Sequence, residues 1–255
     1  MHQRESAIIP RMAALLLAIM TSACASIDAF PPKLQAIRTV GIISAVGDEF
    51  TLTNAGLTGF DNGDRVFPIE AWGLDDFIVS HTGGMVSRRL EVQAVTYSRA
   101  AFAAIERDTS NSVADVLRED PIKKLVRTEV SPQGLDAYVV ITKAISRYGS
   151  RGKAVAGVGM IIHDDVFDSY RQIHALYVIT IIDGHDFSVI DKRSAEPLNN
   201  TEIVRLAGPS HVIDDALQPP ENGALPSDKL KAAVIDLIES SLFRTLQDLR
   251  LADRS

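Results

Sequence analysis

Apolar residues near the start of the chain first form a continuous run and then alternate, and each pattern predicts a strand. Residues 40–46 are a largely apolar run of buried-strand length, followed by the turn signal Gly47-Asp48. Apolar and polar residues then alternate over residues 49–53, which is typical of a half-exposed strand. Together the two segments predict a hairpin. A further strand is predicted at residues 65–69, beyond a glycine-rich loop at 54–64.

The spacing changes to that of a helix over residues 74–90, where apolar side chains recur every three or four positions. Asp75 and Asp76 fall in the first turn, where the helix dipole favours negative charge. Two consecutive glycines, Gly83-Gly84, each cost a helix about 1 kcal/mol relative to alanine. We therefore expect a break, a kink or a close contact at this pair.

Shorter elements follow. Residues 92–97 have strand character and residues 100–105 could add one or two helical turns. Ser112 to Asp115 has the form of a capping box, and Asp120-Pro121 pairs a capping residue with a proline suited to the first helical position. These signals predict two consecutive short helices that end near Arg127.

The next block is the most strand-rich part of the chain. It contains long segments rich in β-branched and aromatic residues, at 136–148, 154–163, 170–183 and 187–191. Because the connections are short and hold no helix, we expect antiparallel hairpins, with Asp183-Gly184 as one of the turns. Alternation places Gly157 and Gly159 on one face of their strand, and we expect a helix to dock closely there.

An extended loop at 198–226, rich in proline, precedes the clearest helix of the chain, at 227–251. Ser227 is suited to cap it. One apolar stripe runs along this helix, formed by Leu230, Val234, Leu237, Ile238, Leu242, Leu246 and Leu249. This stripe favours a helix that covers a sheet, and a helix that binds a partner is the alternative. The pattern as a whole predicts an α/β (α+β) fold, with a mixed, mostly antiparallel sheet covered by helices 74–90 and 227–251 in one domain, 38–255.

The chain begins as an exported protein does. A charged start leads into an apolar run at residues 12–20, which is shorter than the about 20 residues needed to cross a bilayer as a helix. Residues 1–23 therefore read as a signal peptide. Small residues precede Cys24, the only cysteine, so a lipoprotein peptidase could cut before Cys24 and leave a lipid-anchored tether at 24–37. Cleavage after Ala25 by an ordinary signal peptidase is the alternative.

The segment before Cys24 resembles a lipobox, with Thr21 where leucine is usual. The resemblance implies a thiol that carries diacylglycerol and a fatty acyl chain such as palmitate. A lone cysteine has no disulfide partner within the chain, which favours modification as its purpose. The predicted lipidation residue is therefore Cys24.

Composition narrows the classes of partner. The chain is 46% hydrophobic and 23% charged, as a globular protein is. A formal net charge of -7 argues against a nucleic-acid surface and against electrostatic adhesion to anionic lipid. Membrane attachment would then come from acyl chains.

The strand at 136–146, the strand that follows it, and the segment 174–190, in which two strands flank an Asp-Gly turn, resemble the core of a group of bacterial envelope lipoproteins. This group includes CsgG, LpoB and the amino-terminal domain of TolB. The resemblance covers about residues 38–190 and the last helix, and it is one of pattern more than of motif. It implies a small α/β periplasmic module that works through contacts and performs no catalysis.

Possible chemistry is concentrated at two strand ends. His163, Asp164 and Asp165 follow one strand and Asp183, His185 and Asp186 follow another, so they could converge on a divalent metal. The hairpin order instead predicts that the two ends lie at opposite edges of the sheet. A periplasmic metal-dependent hydrolase built on these residues remains the alternative to a binding module.

Other polar candidates have structural explanations. His174 alternates with apolar residues and is expected to be a buried or half-buried histidine, while His81 is expected on a helix surface. Asp75-Asp76 could serve acid-base chemistry but suits the helix start. Trp72, the only tryptophan, is expected in the core or at a hinge, with a partner-binding role as the alternative.

The sequence therefore predicts a non-catalytic binding or assembly module of the cell envelope that faces the periplasm. It predicts no cofactor, no metal site and no catalytic residue. The predicted partners are a membrane, reached through the lipid anchor, and an envelope protein that the sequence does not identify. Ala25 after Cys24 favours the outer membrane over the inner membrane, and a soluble periplasmic protein is the alternative.

Overall fold

A computed structural model describes residues 32–56, 63–105, 120–149, 152–164, 169–198, 206–213, 217 and 226–253. Several predictions from the sequence lie outside these residues. They are the signal peptide, the lipidation at Cys24, the capping box at Ser112 to Asp115, Asp165 and most of the loop 198–226. Residues Ala36–Ser255 belong to one compact unit, separate from Met1–Gln35.

The helices are α1 (Pro32–Ala36), α2 (Leu74–Val86), α3 (Arg99–Ala103), α4 (Pro121–Glu129) and α5 (Asp228–Asp248), and a 3-10 turn spans Glu70–Trp72. The first strands are β1 (Thr39–Ala45), β2 (Glu49–Gly56), β3 (Asp64–Pro68), β4 (Glu91–Gln93), β5 (Ala137–Lys143) and β6 (Ile145–Tyr148). The remaining strands are β7 (Lys153–Ala156), β8 (Val158–Asp164), β9 (Ser169–Ala175), β10 (Tyr177–Asp183), β11 (Val189–Ser194) and β12 (Ser210–Ile213). Among the described residues, no helix is both long enough and apolar enough to cross a membrane.

Two five-stranded sheets replace the single sheet that was expected. Sheet A has the order β11-β10-β5-β1-β4 and sheet B the order β12-β9-β8-β2-β3, while β6 and β7 form a separate two-stranded ribbon. Strand β1 is parallel to β4 and β5, and β2 is parallel to β8. The other described pairs are antiparallel, which confirms the predicted α/β class with mixed, mostly antiparallel pairing.

The predicted hairpin between residues 40–46 and 49–53 is wrong. Strand β1 lies inside sheet A, whereas β2 lies in sheet B and forms its hairpin with β3. The continuous apolar run of β1 is the reason, because six of its seven residues are buried and a strand buried on both faces belongs at the centre of a covered parallel sheet. The composition of β1 is therefore that of a buried parallel strand.

Three long strand segments each pass from one sheet or ribbon to another at a single residue. These residues are Ala144, Gly157 and Leu176, and they bond to one another in a ring: Ala144 N donates to Leu176 O (3.0 Å), Leu176 N to Gly157 O (2.8 Å) and Gly157 N to Ala144 O (3.1 Å). Gly157 has φ +55, a conformation that glycine adopts without strain. The ring satisfies backbone groups that the ladders leave unpaired where the strands change sheet.

Helices cover both faces of sheet A. On one face, Phe102 of α3 and Ile122 and Val126 of α4 pack on Ile43 and Tyr138 of the sheet. On the other face, α2 packs on β1, and α5 contacts both α2 and sheet B through β9. The two helices predicted to cover the sheet are therefore present, and α3 and α4 add a layer on the opposite side.

Helix α2 continues through Gly83-Gly84, so the expected break does not occur. A Cβ added at Gly83 would lie 3.6 Å from Cδ1 of Ile42, while one added at Gly84 would meet nothing within 4 Å. The distance at Gly83 is an ordinary van der Waals contact with β1, so the expected close contact is not found among the described residues either. Packing on the sheet outweighs the glycine cost of about 2 kcal/mol.

The capping predictions within the described residues are confirmed. The side chain of Asp120 accepts the Ile122 N–H at the start of α4, with Pro121 in the first turn. Ser227 accepts the Leu230 N–H at the start of α5. Residues 100–105 contribute α3, whose cap is Ser98.

Among the described residues, strands and not a helix make the close contacts with Gly157 and Gly159, which corrects that prediction. A Cβ at Gly159 would lie 2.2 Å from the Thr51 carbonyl oxygen of β2 and 2.8 Å from Nε2 of His174 on β9. The glycine is needed because the neighbouring strands, not a helix, approach its backbone closely.

Candidate functional site

The residues proposed as metal ligands end strands of different sheets. His163 and Asp164 close β8 in sheet B, whereas Asp183 closes β10 in sheet A and His185 lies in the turn after it. Within the described ranges, no three His, Cys, Asp or Glu side chains are grouped so that they could hold a metal ion. Asp165, the remaining candidate of the first cluster, is outside those ranges.

Asp183 and Gly184 form the turn between β10 and β11, as expected. Oδ1 of Asp183 accepts the backbone N–H groups of His185 (2.9 Å) and Asp186 (3.2 Å), which holds the turn in place. A Cβ at Gly184 would lie 1.7 Å from the Leu135 carbonyl oxygen, so the turn packs directly on the backbone that precedes β5. The Asp-Gly pair therefore has a structural purpose.

His163 belongs to an aromatic cluster that the sequence did not reveal. Its ring stacks on Tyr170 with centroids 4.7 Å apart, and Nδ1 lies 3.2 Å from the Tyr148 hydroxyl. The hydroxyl groups of Tyr148 and Tyr170 are 2.6 Å apart. The three residues come from β6, β8 and β9, so only the tertiary arrangement of the β6–β7 ribbon beside sheet B brings them together.

Asp75, which could have served acid-base chemistry, is buried and engaged. Its Oδ1 accepts the Ser44 hydroxyl (2.6 Å) and the Val46 N–H (2.8 Å), and both carboxylate oxygens lie 3.3 Å from the Gly47 nitrogen. These bonds satisfy backbone groups at the end of β1 and fix the start of α2 there. Asp75 therefore lies in the first turn of α2, as predicted, and it also links this helix to the end of β1.

Asp76 points the other way and pairs with Arg99 on the surface. This hydrogen bond raises the pKa of Arg99 above its ordinary value, although the side chain is largely exposed and water screens the pair. Asp75 thus makes buried hydrogen bonds, whereas Asp76 forms an exposed ion pair.

His174 is fully buried in β9, as the alternation predicted. Its Nδ1 lies 3.0 Å from the Gly157 carbonyl oxygen, in the ring of strand junctions, and its Nε2 has no hydrogen-bond partner. Burial lowers the pKa of His174 to about 4, because no charged partner compensates for the loss of water around the imidazolium. The side chain is therefore neutral at pH 7.

A buried lysine occupies the same junction. Lys143 ends β5, and its Nζ lies 2.5 Å from Oδ1 of Asp48 and 3.4 Å from Oε2 of Glu49. Its aliphatic stem packs against Gly157, where an added Cβ would lie 3.2 Å away. The charge is thus paired at the carboxyl ends of β1 and β5, where the two sheets diverge.

Trp72 is half-buried at the end of the 3-10 turn, with its ring 5.9 Å from that of the fully buried Phe50. The following residue, Gly73, has φ +63 and begins α2. This position matches the predicted core or hinge role.

An open groove lies between α2 and α5. It has a volume of about 410 Å³ and is lined by Phe77, Ser80, His81, Gly84, Met85, Arg88, Phe243, Ala252 and Asp253. Phe243 is 38% exposed, which makes it one of three large apolar side chains exposed among the described residues. His81, expected on a helix surface, stacks on Phe77 and places Nε2 3.6 Å from Oε1 of Glu239 across the groove.

Phe243 could have been identified from the sequence. It is an aromatic residue beside Leu242 but outside the stripe that faces the sheet, and an apolar residue off the stripe predicts an exposed contact. Met85 and Arg88 gave no such signal, because only the packing of α2 beside α5 places them next to Phe243. This arrangement gives the groove an apolar floor, with charged groups at its rim.

No family model matches the chain, and no curated protein is significantly similar to it in sequence. The solved structures that resemble it include lipoprotein GNA1162 from Neisseria meningitidis, at 13% identity and a TM-score of 0.26, over 80% of this chain and 96% of that one. Another is a DUF330 protein from Xanthomonas campestris, at 8% identity and a TM-score of 0.29, over 84% of this chain and 88% of that one. The description of neither protein refers to CsgG, LpoB or TolB, and TM-scores below 0.5 do not establish a common fold.

Proposed function

We propose that the protein is a lipoprotein of the bacterial cell envelope that acts as a non-catalytic binding module facing the periplasm. The observation that carries the proposal is the position of Cys24, directly after a short apolar run and the small residues Thr21-Ser22-Ala23. The absence of any other cysteine supports it. Ala25 after the anchor favours the outer membrane.

The described polar side chains support binding over catalysis. Asp75, Lys143 and His174 are buried, and each of them contacts a backbone or side-chain group that holds strands or helices together. The groove between α2 and α5 is instead open and apolar, so it is the candidate surface for contacts. The alternative of a metal-dependent hydrolase would need His163, Asp164, Asp183, His185 and Asp186 in one place, and they end strands of two sheets.

The test is to express the full chain and Cys24→Ala in a Gram-negative host, with radioactive palmitate in the medium. We expect the wild-type protein to incorporate label and to sediment with membranes, and the variant to lose both properties, because the thioether link to diacylglycerol needs the thiol. Thr21→Leu, which brings the segment closer to the usual lipobox, is the matched control and should retain or increase labelling. Unlabelled wild-type protein, or a Cys24→Ala variant that stays in membranes, would contradict the proposal.

A further inference from the structure

The amino-terminal edge of sheet A is where the chain enters the fold. Strands β1, β4 and β5 are parallel, so Arg38, Glu91 and Asp136 lie together at this edge; the Glu91 N–H donates to the Arg38 carbonyl oxygen (2.8 Å) and Asp136 Oδ2 accepts the Arg38 N–H (2.8 Å). Thirteen residues lie between Cys24 and Arg38, and this segment spans at most about 50 Å. A lipid on Cys24 would therefore attach the fold to the membrane through this edge.

The groove reaches the same edge. Helix α2 ends at Val86, and Arg88 and Arg89 follow in the short connection to β4. Nη1 of Arg89 donates to the Arg250 carbonyl oxygen (2.5 Å), and its Nε lies 3.9 Å from Asp253, which joins the end of α2 to the residues after α5. The end of the groove that contains Arg88 and Asp253 is thus beside the point at which the tether arrives.

The charged side chains at this end of the groove differ in whether they pair with another described residue. Among the described residues that line the groove, Asp253 is the acidic one, and its Oδ1 lies 3.9 Å from Nε of Arg89. Arg88 is exposed, and no hydrogen bond or ion pair joins it to another described residue. A guanidinium beside an apolar floor is suited to an amphiphile with a phosphate group, since arginine binds phosphate through two parallel hydrogen bonds.

We propose that the groove between α2 and α5 binds a phospholipid of the membrane to which the protein is anchored. Arg88 holds the phosphate, and Phe77, Met85 and Phe243 contact the start of an acyl chain. The formal net charge of -7 disfavours broad adhesion to anionic lipid, so recognition is local and concerns one lipid molecule. This inference rests on the proposed function, because the anchor is what places the edge at the bilayer.

In-cell photocrosslinking of the full-length, otherwise wild-type chain tests the proposal. Phe243 is replaced by the photoreactive p-benzoyl-phenylalanine, in cells grown with radioactive phosphate. The lipid that would modify Cys24 contains no phosphorus, so a phosphorus-labelled adduct reports a phospholipid and not the protein's own anchor. The control position for the probe is Val66 on β3, which is 55% exposed and outside the groove.

We expect a labelled adduct with the probe at 243 and none at 66. Arg88→Ala should reduce the adduct about fivefold, the factor that one arginine near a lipid surface contributes. The matched control, Arg193→Ala, removes an exposed arginine of β11 and should leave the yield unchanged.

An adduct with another protein at 243, equal phospholipid adducts at both probe positions, or no adduct would overturn the inference. Palmitate labelling of the same cells distinguishes this failure from failure of the proposed function. Palmitate-labelled protein without a phospholipid adduct refutes the groove site alone, whereas unlabelled protein refutes the lipoprotein assignment.

Discussion

Individual polar residues, buried or half-buried, hold this fold together at the places where elements change direction. Asp75 binds the end of β1, His174 binds the strand-junction ring, and Asp136 binds the N–H groups of Arg38 and Thr39. These two N–H bonds lower the pKa of Asp136, so it stays ionised. Each residue could be taken for a catalytic group from its type alone, and the contacts assign it a structural role.

Replacement of Asp75 tests that role. Asp75→Ala should lower the free energy of unfolding by about 2–4 kcal/mol, because it leaves the Val46 and Gly47 N–H groups buried without an acceptor. Asp76→Ala is the matched control on the exposed side of the same helix turn and should cost no more than about 1 kcal/mol. Urea unfolding of both variants measures the free energy of unfolding. An equal decrease in both variants would show that Asp75 does not link β1 to α2 in the way described.

His174 predicts a pH dependence of stability. Its folded pKa of about 4 is below the ordinary value of 6.5, so between these pH values the unfolded chain binds a proton that the folded chain does not. The contribution of His174 to the free energy of unfolding should therefore be fully present above pH 6.5 and fall as the pH drops. By pH 4 the free energy of unfolding should be lower by about 3 kcal/mol. Denaturant unfolding at pH 4 to 7 measures this slope.

The control for that slope is a pair of variants. His174→Gln removes the titration and should flatten the slope between pH 4 and 6.5, whereas His211→Gln on the exposed part of β12 should leave it as in the wild type. An unchanged slope in His174→Gln would assign the acid sensitivity to other groups.

At the scale of elements, the sequence patterns that depend on neighbouring residues predicted helix starts and buried faces correctly. The caps Asp120 and Ser227 begin α4 and α5, and the stripe on α5 is buried as its spacing predicted. The break at Gly83-Gly84 failed because contacts with β1, distant in sequence, stabilise α2. The predicted hairpin between β1 and β2 is wrong for the same reason, since the partners of β1 in the sheet are 52 and 97 residues away (Thr39 with Glu91, and Val40 with Ala137).

Gly84 offers a prediction at this scale. Because no atom lies within 4 Å of a Cβ placed there, Gly84→Ala should raise the free energy of unfolding by about 0.5–1 kcal/mol through helix propensity. Gly159→Ala is the contrasting control, because its Cβ would collide with the Thr51 carbonyl oxygen and must destabilise the protein. A loss of stability in Gly84→Ala, measured by thermal or urea unfolding, would mean that α2 is not regular at this position.

At the scale of the whole molecule, two sheets diverge from a common junction and helices cover both faces of sheet A. The junction is built from the ring of Ala144, Gly157 and Leu176, together with Lys143 and its acidic partners. Each long strand segment of the sequence supplies parts to two different sheets or ribbons. An alternating pattern cannot show this, because the apolar residues continue through the point at which the strand changes sheet.

The sequence by itself determined the α/β class, the positions of most helices and strands, their caps, and the prediction of an anchor at Cys24. These properties depend on residues within one or two turns of each other, or on a short export signal, so local chemistry is sufficient. Only the tertiary structure decided the division into two sheets, the parallel pairing of β1, the structural roles of Asp75 and His174, and the groove that brings Phe243 beside Arg88. Those depend on contacts between segments far apart in the chain, and such contacts are chosen by how well whole surfaces pack together.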